Sequence, residues 1–234
     1  MVAEGITDFV VLKAVIEAML NGRSFDLKLL QPEESVAFTG AGMAGLLGGG
    51  WKGVYKWCRQ SARRSGGSIS TDVLFDNYDL LVLHLDADVA GEDPANYPIT
   101  PISELAGHLP CEHACPPPEA TTNPLRIEML SWIGENTLPP RTILCTPSKS
   151  IEAWVIAAFF PNDKEMIKRG WECHPRPESR LAQQKLPHRF GKSQAEYEER
   201  RMQFQANWPV IAERLSEAAR FQHDFRIAMQ AFPA

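Results

Sequence analysis

The chain has 234 residues, a formal net charge of −5 and a hydrophobic content of 44%. This length supports one sizeable core, or one core with a small appended subdomain, and the composition is typical of a soluble globular protein. The negative charge excludes a general electrostatic attraction to nucleic acid, so such a contact needs a local basic patch or a bound metal. The apolar stretches are too short to cross a bilayer. We expect a cytoplasmic protein with no leader and no membrane contact, whose five cysteines are reduced thiols.

The N-terminal residues are predicted to leave a sheet and enter a helix. Residues 1–5 have the pattern of a strand end that runs into a turn. The helix is expected over residues 8–20, because its apolar residues fall at helical spacing, and its N-cap is Thr7 or Asp8.

A second short strand is predicted at 35–39, followed by a loop from Gly40 to Gly53 with seven glycines. This loop matches neither a Walker A motif nor a dinucleotide fingerprint. We interpret it as a flexible connection, although its backbone amides could still contact a phosphate.

A basic helix follows and is predicted over residues 51–64. Its cations recur at spacings of four, three and four residues, with one more beside them, and aromatic residues are interleaved. The cations are Lys52, Lys56, Arg59, Arg63 and Arg64. In an acidic protein this pattern is typical of a surface that binds nucleic acid. The alternative is a solvated helix face whose aromatic side chains enter the core.

The stretch DLLVLHLDAD, residues 79–88, is the centre of the predicted fold. An unbroken apolar run between turn residues is typical of a strand buried on both faces of a parallel sheet. The run ends in Asp86 and Asp88, at the strand end where open α/β sheets bind ligands. Burying two carboxylates without a counter-ion is costly, so the pair indicates a divalent-metal site or exposure to solvent.

The later elements are a surface loop at 90–101, a helix at 122–136, a buried strand at 141–146 and a helix at 150–160. Pro124 is predicted at the first position of its helix. Glu152 lies in the first turn of the last of these helices, where it favours the helix dipole and where a further metal ligand would come from. Lys149, just before that turn, could meet a phosphate.

The composition changes near residue 161, where charged and amide residues become more frequent. We expect an α/β core over 1–160 and a helical extension over 161–234 that packs on it. Ser193 is predicted to cap a charged helix that ends near Trp208, and Pro209 is predicted to begin the last helix.

A group of cysteines and histidines raises the question of zinc. Cys111, His113 and Cys115 could be ligands, with Cys173 or His174 completing a tetrahedral set. Their spacing is not that of common zinc modules, so loop thiols are the favoured interpretation.

Acids are predicted at three strand ends of the sheet: Glu4 with Asp8, Asp86 with Asp88, and Glu152. Hard cations such as Mg²⁺ or Mn²⁺ prefer carboxylate oxygens. No comparable set of Ser, His and Asp, or of Cys and His, indicates nucleophilic catalysis.

These motifs resemble the TOPRIM domain family. The resemblance covers residues 1 to about 160 and lies in EGITD at Glu4–Asp8, the buried strand ending in Asp86-Ala-Asp88, and SKSIEAW at Ser148–Trp154. The last motif resembles small stand-alone TOPRIM-like proteins related to the OLD-type nucleases of phage-defence systems. The resemblance implies a Rossmann-like parallel sheet flanked by helices. The Cys/Pro segment at 111–118 departs from the family pattern.

The resemblance also implies roles for the acids. Glu4 would be a general acid/base or a metal ligand, and Asp86 and Asp88 would hold Mg²⁺ or Mn²⁺. Glu152 would be a further ligand, Asp8 would support the site, and Lys149 would act beside them. The implied activity is a Mg²⁺-dependent nuclease that cleaves DNA or RNA, in antiviral defence and beside an ATPase partner.

Three other interpretations remain open. The chain could be a non-catalytic TOPRIM-like subunit that binds nucleic acid or a partner. Nucleotidyl transfer of the primase kind is less favoured, because no nucleotide-binding module is visible. The five acids could also be solvated loop residues. Trp and Met residues on the helices leave room for a homo-oligomer interface.

Overall fold

The computed structural model describes residues 1–32, 48–93, 109–184, 190 and 193–232. Within these ranges the fold is mixed α/β, with eight helices and a two-stranded parallel sheet. The strands are β1 (Leu81–His84) and β2 (Thr142–Cys145). The helices are α1 (Ile6–Leu20), α2 (Gly50–Arg64), α3 (Glu119–Trp132), α4 (Glu152–Phe159), α5 (Lys164–Arg169), α6 (Pro177–Ala182), α7 (Gln194–Arg214) and α8 (Ser216–Met229). The predicted strand at 35–39, most of the loop from Gly40 to Gly53 and the predicted loop beyond residue 93 lie outside the described residues.

The two predicted strands pair with each other in parallel. Leu81 lies opposite Thr142 and His84 lies opposite Cys145. Leu85 continues the pairing by donating its backbone N–H to Cys145 at 3.0 Å. Both predicted strands are therefore confirmed, each slightly shorter than its apolar run.

The N-terminal residues extend the sheet on the other side of β1. Val2 forms parallel bridges with Leu83 and with Gln31. The Val2 carbonyl accepts the N–H of His84 at 2.9 Å, and the Val2 N–H donates to Val82 at 2.9 Å. Four parallel segments thus lie side by side in the order Gln31, Val2, β1 and β2.

Each face of the sheet is covered by helices. Alternate strand residues point to opposite faces, and the apolar side chains of each face pack against a different set of helices. Leu81, Leu83 and Leu144 pack with α2 and α3. Val82, Ile143 and Cys145 pack with α1, α4, α7 and α8. All eight residues of the two strands are buried, as predicted for a parallel sheet.

The helices that follow residue 161 share a core with the N-terminal part of the chain. Trp154 of α4 lies 5.4 Å from Trp208 of α7 and 6.2 Å from Phe221 of α8, between ring centroids. The same core includes Val15 and Ile16 of α1. These helices therefore cover the face of the sheet that carries Val82, Ile143 and Cys145. No helix in the described ranges is long and apolar enough to cross a membrane.

Helix α1 begins two residues earlier than predicted. Gly5, and not Thr7 or Asp8, is its N-cap. Asp8 lies at the third helical position and accepts the Gly5 N–H at 2.9 Å, which satisfies a donor that the helix itself leaves unpaired. Helix α2 begins at Gly50, so the last four residues of the predicted loop, Gly50 to Gly53, are helical.

Two predictions that depended on proline are wrong. Helix α3 begins at Glu119 and contains Pro124 in its interior, not at its first position. Helix α7 continues through Pro209 to Arg214, and the break comes at Leu215, where the backbone is extended. A proline removes one helical hydrogen bond. The burial of Trp208 and Ile211 on either side of Pro209 offsets that loss.

The structure also corrects the prediction for the cysteines. Cys115 and Cys173 form a disulfide with their Cα atoms 5.3 Å apart, so these two residues are not reduced thiols. A disulfide sulfur is not a thiolate, so neither residue completes the zinc set considered for Cys111, His113 and His174. The free thiols are Cys58 and Cys145, which are buried, and Cys111, which is exposed.

Candidate carboxylate site

The ends of three parallel segments are joined by hydrogen bonds through acidic residues. The backbone N–H of Asp86, after β1, donates to Oε1 of Glu4 at 2.7 Å. The backbone N–H of Ile151, which opens α4 after β2, donates to Oδ1 of Asp86 at 2.9 Å. Glu152 is the next residue and is buried. The carboxyl ends of the sheet therefore bring together Glu4, Asp86 and Glu152, as their sequence positions predicted.

Asp8 completes this group from the first turn of α1. It is buried, and its Oδ2 is held by the Gly5 N–H. We call Glu4, Asp8, Asp86 and Glu152 the carboxylate cluster. Asp88 lies at its edge and is exposed, in the short turn Ala87–Val89.

Burial and mutual repulsion act together on the carboxylate cluster. Burial raises the pKa of Asp86 well above its usual value, and the charges of Asp8, Glu152 and Asp88 raise it further. Burial also raises the pKa of Glu4, as do Asp86 and Asp8, while His84 opposes this effect. The charged forms are thus unfavourable, and the cluster favours protons or a cation.

His84 is a member of the site that the sequence prediction treated only as part of an apolar strand. Its Nε2 lies 3.2 Å from Oδ1 of Asp86, and its Nδ1 lies 3.8 Å from Oδ2 of Asp8. A signal was present, because His84 is the one polar residue in the run Leu80–Leu85 and lies two positions before Asp86. In a strand, residues two apart point to the same face.

Tyr197 is a second residue that the sequence did not indicate. It lies on α7, is buried, and packs its ring 5.9 Å from that of Phe190. Burial raises its pKa, and the charges of Glu152, Asp8 and Asp86 raise it further. No local pattern connects residue 197 to these acids, because only the packing of α7 brings it near them.

Lys149 lies next to the cluster but is engaged by another residue. Its backbone carbonyl accepts the Asp88 N–H at 2.8 Å, and its Nζ pairs with the carboxylate of Glu112. Its side chain is only 11% exposed. A contact between Lys149 and a phosphate would therefore require the pair with Glu112 to open.

The donor chemistry of the cluster fits a hard divalent cation. The oxygens are carboxylates, and a cation would offset the repulsion that raises the pKa of Asp86 and Glu4. In the part of the chain that the structure describes, no three His, Cys, Asp or Glu side chains are arranged to hold a metal ion. Convergence of these oxygens on an ion would therefore involve side-chain rotation.

The basic helix α2 begins against the cluster. The Gly50 N–H donates to the backbone carbonyl of Glu4 at 3.0 Å. Gly50 has a φ of 64°, and a Cβ at this position would lie 3.9 Å from Oε2 of Glu4. The first turn of α2 is thus fixed beside Glu4, and the positive φ at residue 50 favours a glycine there.

The cations of α2 lie on its outer side, while its aromatic residues enter the core. Trp51 and Tyr55 are buried, and the ring of Tyr55 packs edge-on against Trp132 at 5.3 Å. Arg63 and Arg64 are exposed, and Lys52, Lys56 and Arg59 are half-buried. Arg64 contacts Asp72 at 2.6 Å, and Arg59 donates to the carbonyl of Ser131 at 3.5 Å. Trp51 and Tyr55 therefore enter the core, as the alternative interpretation of this helix expected, and the cations form a basic outer surface.

No protein-family model, curated protein or solved structure matches this chain. The functional proposal therefore depends on the chemistry of the carboxylate cluster and its surroundings.

Proposed function

We propose that the protein is a Mg²⁺-dependent nuclease that hydrolyses phosphodiester bonds in DNA or RNA, with Mn²⁺ as an alternative ion. The observation that carries this proposal is the meeting of Glu4, Asp86 and Glu152 at one edge of a parallel sheet. Strand ends are where open α/β sheets place their ligands. The pKa of Asp86 is raised because this residue is buried and lies near other acids, as a metal ligand without its ion would be.

The residues that would hold the ion are the acids at and beside the carboxyl ends of the parallel segments. They are Glu4, Asp8, Asp86, Asp88 and Glu152. A bound divalent ion supplies a Lewis acid and lowers the pKa of a coordinated water.

Glu4 is suited to proton transfer in this reaction. The Asp86 N–H holds Oε1, so proton exchange falls to Oε2. A carboxylate whose pKa is raised by burial is a stronger base, so Glu4 could accept a proton from an attacking water and return it to the leaving oxygen.

Helix α2 would position the substrate. Its first residue contacts Glu4, so a phosphate held by Lys52 near its start would lie beside the cluster, and the later cations would hold phosphates further along the same nucleic-acid strand. The cations available for this role are Lys52, Lys56, Arg59, Arg63 and Arg64. Such contacts orient a nucleic-acid backbone without reading its sequence.

Three of the parallel segments, those at Val2, β1 and β2, are each followed by an acid, and this order supports the TOPRIM-like assignment. A role in phage defence beside an ATPase partner belongs to the same proposal and rests on the resemblance of the motifs at Glu4–Asp8 and Ser148–Trp154.

The test is cleavage of labelled DNA and RNA, single-stranded and double-stranded, with Mg²⁺ or Mn²⁺ and with chelator. Asp86→Asn should abolish cleavage, because it removes the charge at the centre of the cluster. Asp79→Asn is the matched control, because Asp79 is exposed and lies two residues before the start of β1, away from the cluster at its other end. Full activity in Asp86→Asn would contradict the proposal. Binding without cleavage in the wild type would favour the non-catalytic subunit.

A further inference from the structure

We infer that His84 is a positioning residue that holds the carboxylates of Asp8 and Asp86 in a fixed orientation. In its consequence for metal binding, this inference rests on the proposed function. The contact between the imidazole and the two acids does not depend on it.

The first support is the place of the ring between two elements. His84 is completely buried at the end of β1. Its ring nitrogens face Asp86 at 3.2 Å and Asp8 at 3.8 Å, so one side chain spans the strand end and the first turn of α1. The backbone of His84 is fixed on both sides, by Val2 and by Cys145.

The second support is which oxygens the imidazole faces. Oδ1 of Asp86 also accepts the Ile151 N–H, and Oδ2 of Asp8 also accepts the Gly5 N–H. The ring and a backbone amide thus approach the same oxygen of each acid. Fixing one oxygen of a carboxylate also fixes the direction of its other oxygen.

The third support is the cost of this histidine in a strand. Within the described residues, neither ring nitrogen makes a well-aligned hydrogen bond, although both are buried. A leucine like the neighbouring Leu83 and Leu85 would avoid this penalty. Packing alone therefore does not explain a histidine here, whereas the two facing carboxylates do.

The imidazole has no exposed surface through which a substrate could reach it. It therefore acts through Asp8 and Asp86 and is not itself catalytic. Groups behind metal ligands act in this way, and their removal typically lowers metal affinity about 10–100-fold.

The experiment compares Mn²⁺ affinity, by calorimetry, in the wild type, His84→Leu and His84→Gln. We expect His84→Leu to weaken binding about 10–100-fold and His84→Gln, which keeps a polar donor, to recover part of the loss. Thr142→Val is the matched control. Among the described residues its hydroxyl likewise has no hydrogen-bond partner and is buried in the same sheet. It lies at the opposite strand end, so Mn²⁺ affinity should stay unchanged.

A second measurement needs no metal. Melting temperatures in chelator are recorded for His84→Leu, Asp86→Asn and the double variant, and a positioning contact predicts non-additive shifts. If His84→Leu does not fold, His84→Asn replaces it in both measurements.

The outcomes separate this inference from the nuclease proposal. If the wild type binds Mn²⁺, unchanged affinity in the His84 variants overturns the inference, whatever the melting temperatures show. If the wild type binds no Mn²⁺, the proposed metal site fails. The melting temperatures then decide alone: non-additive shifts support a positioning contact, and additive shifts overturn it.

Discussion

The backbone N–H of Asp86 donates to Oε1 of Glu4 at 2.7 Å and so connects residues 82 positions apart in the chain. This bond ties the end of β1 to the residue that follows the N-terminal sheet segment. It holds two acids together although the charge of Asp86 raises the pKa of Glu4. The geometry of the carboxylate cluster is thus set by backbone donors that the sheet supplies.

Replacement of Glu4 should separate its structural contribution from its chemical one. Glu4→Gln keeps a side-chain oxygen for the Asp86 N–H and should fold with near-normal stability but lose cleavage activity. Glu4→Ala leaves that buried donor unpaired, which costs about 1–3 kcal/mol. Urea unfolding and cleavage assays on both variants check this. Normal activity in Glu4→Gln would exclude Glu4 from the chemistry.

The raised pKa of Asp86 and Glu4 predicts how stability depends on pH in the absence of metal. A carboxyl group whose pKa is raised on folding contributes stability that is fully present below its unfolded pKa, near 3.8 for Asp86 and 4.5 for Glu4. That contribution is lost as the pH rises through the folded pKa. In chelator, the wild type should therefore lose stability between pH 5 and pH 8.

The Asp86→Asn variant should lose less stability than the wild type as the pH rises, because an asparagine carries no charge to bury. We expect its stability advantage over the wild type to be larger at pH 8 than at pH 5. Mg²⁺ at 100 times its Kd should stabilise the wild type by about 2.7 kcal/mol and leave the variant unchanged. Urea titrations at both pH values measure this. Parallel pH curves for the two proteins would contradict it.

Charge reversal on α2 should weaken the binding of nucleic acid. Lys56→Glu with Arg63→Glu should lower affinity and reduce the slope of log affinity against log salt by about 2, one unit for each phosphate that is no longer neutralised. Fluorescence anisotropy in chelator measures binding without cleavage. The control is Lys164→Glu with Lys168→Glu on α5, which changes the net charge equally. Equal losses of affinity in both variants would show that total charge, not α2, governs binding.

The disulfide predicts a stability difference between oxidised and reduced protein. Cys115 and Cys173 are 58 positions apart, and a cross-link of this kind typically contributes about 2–4 kcal/mol. Cys173→Ser should lose this stability, whereas Cys111→Ser should keep it, because Cys111 is a free, exposed thiol. Thiol alkylation after denaturation without reductant should label three cysteines. Labelling of five would show that the pair is reduced.

Local sequence was sufficient for β1 and β2 and for the placement of Asp86 and Glu152 after them. The run Leu80–Leu85 predicts a buried strand because it is continuously apolar, and Asp86 must then lie at its carboxyl end. The same holds for residues 141–146 and Glu152. The spacing of the cations on α2 likewise follows from helical periodicity alone.

The predictions from proline and cysteine failed because tertiary contacts, and not the local sequence, determine the structure at these residues. Pro209 predicts a helix boundary, but the buried residues around it keep α7 continuous to Arg214. Cys115 and Cys173 carry no local sign of pairing, since a disulfide depends on the distance between their Cα atoms in the folded chain.

The sequence by itself determined the parallel strands, the basic helix and the acids at the strand ends, because these depend on periodicity and on near neighbours. Only the tertiary structure decided that the Asp86 N–H donates to Glu4, that His84 lies between Asp8 and Asp86, and that the charges of these acids act on Tyr197 of α7. Those relationships depend on how distant segments pack, and packing is set by the shape and burial of whole faces rather than by any short motif.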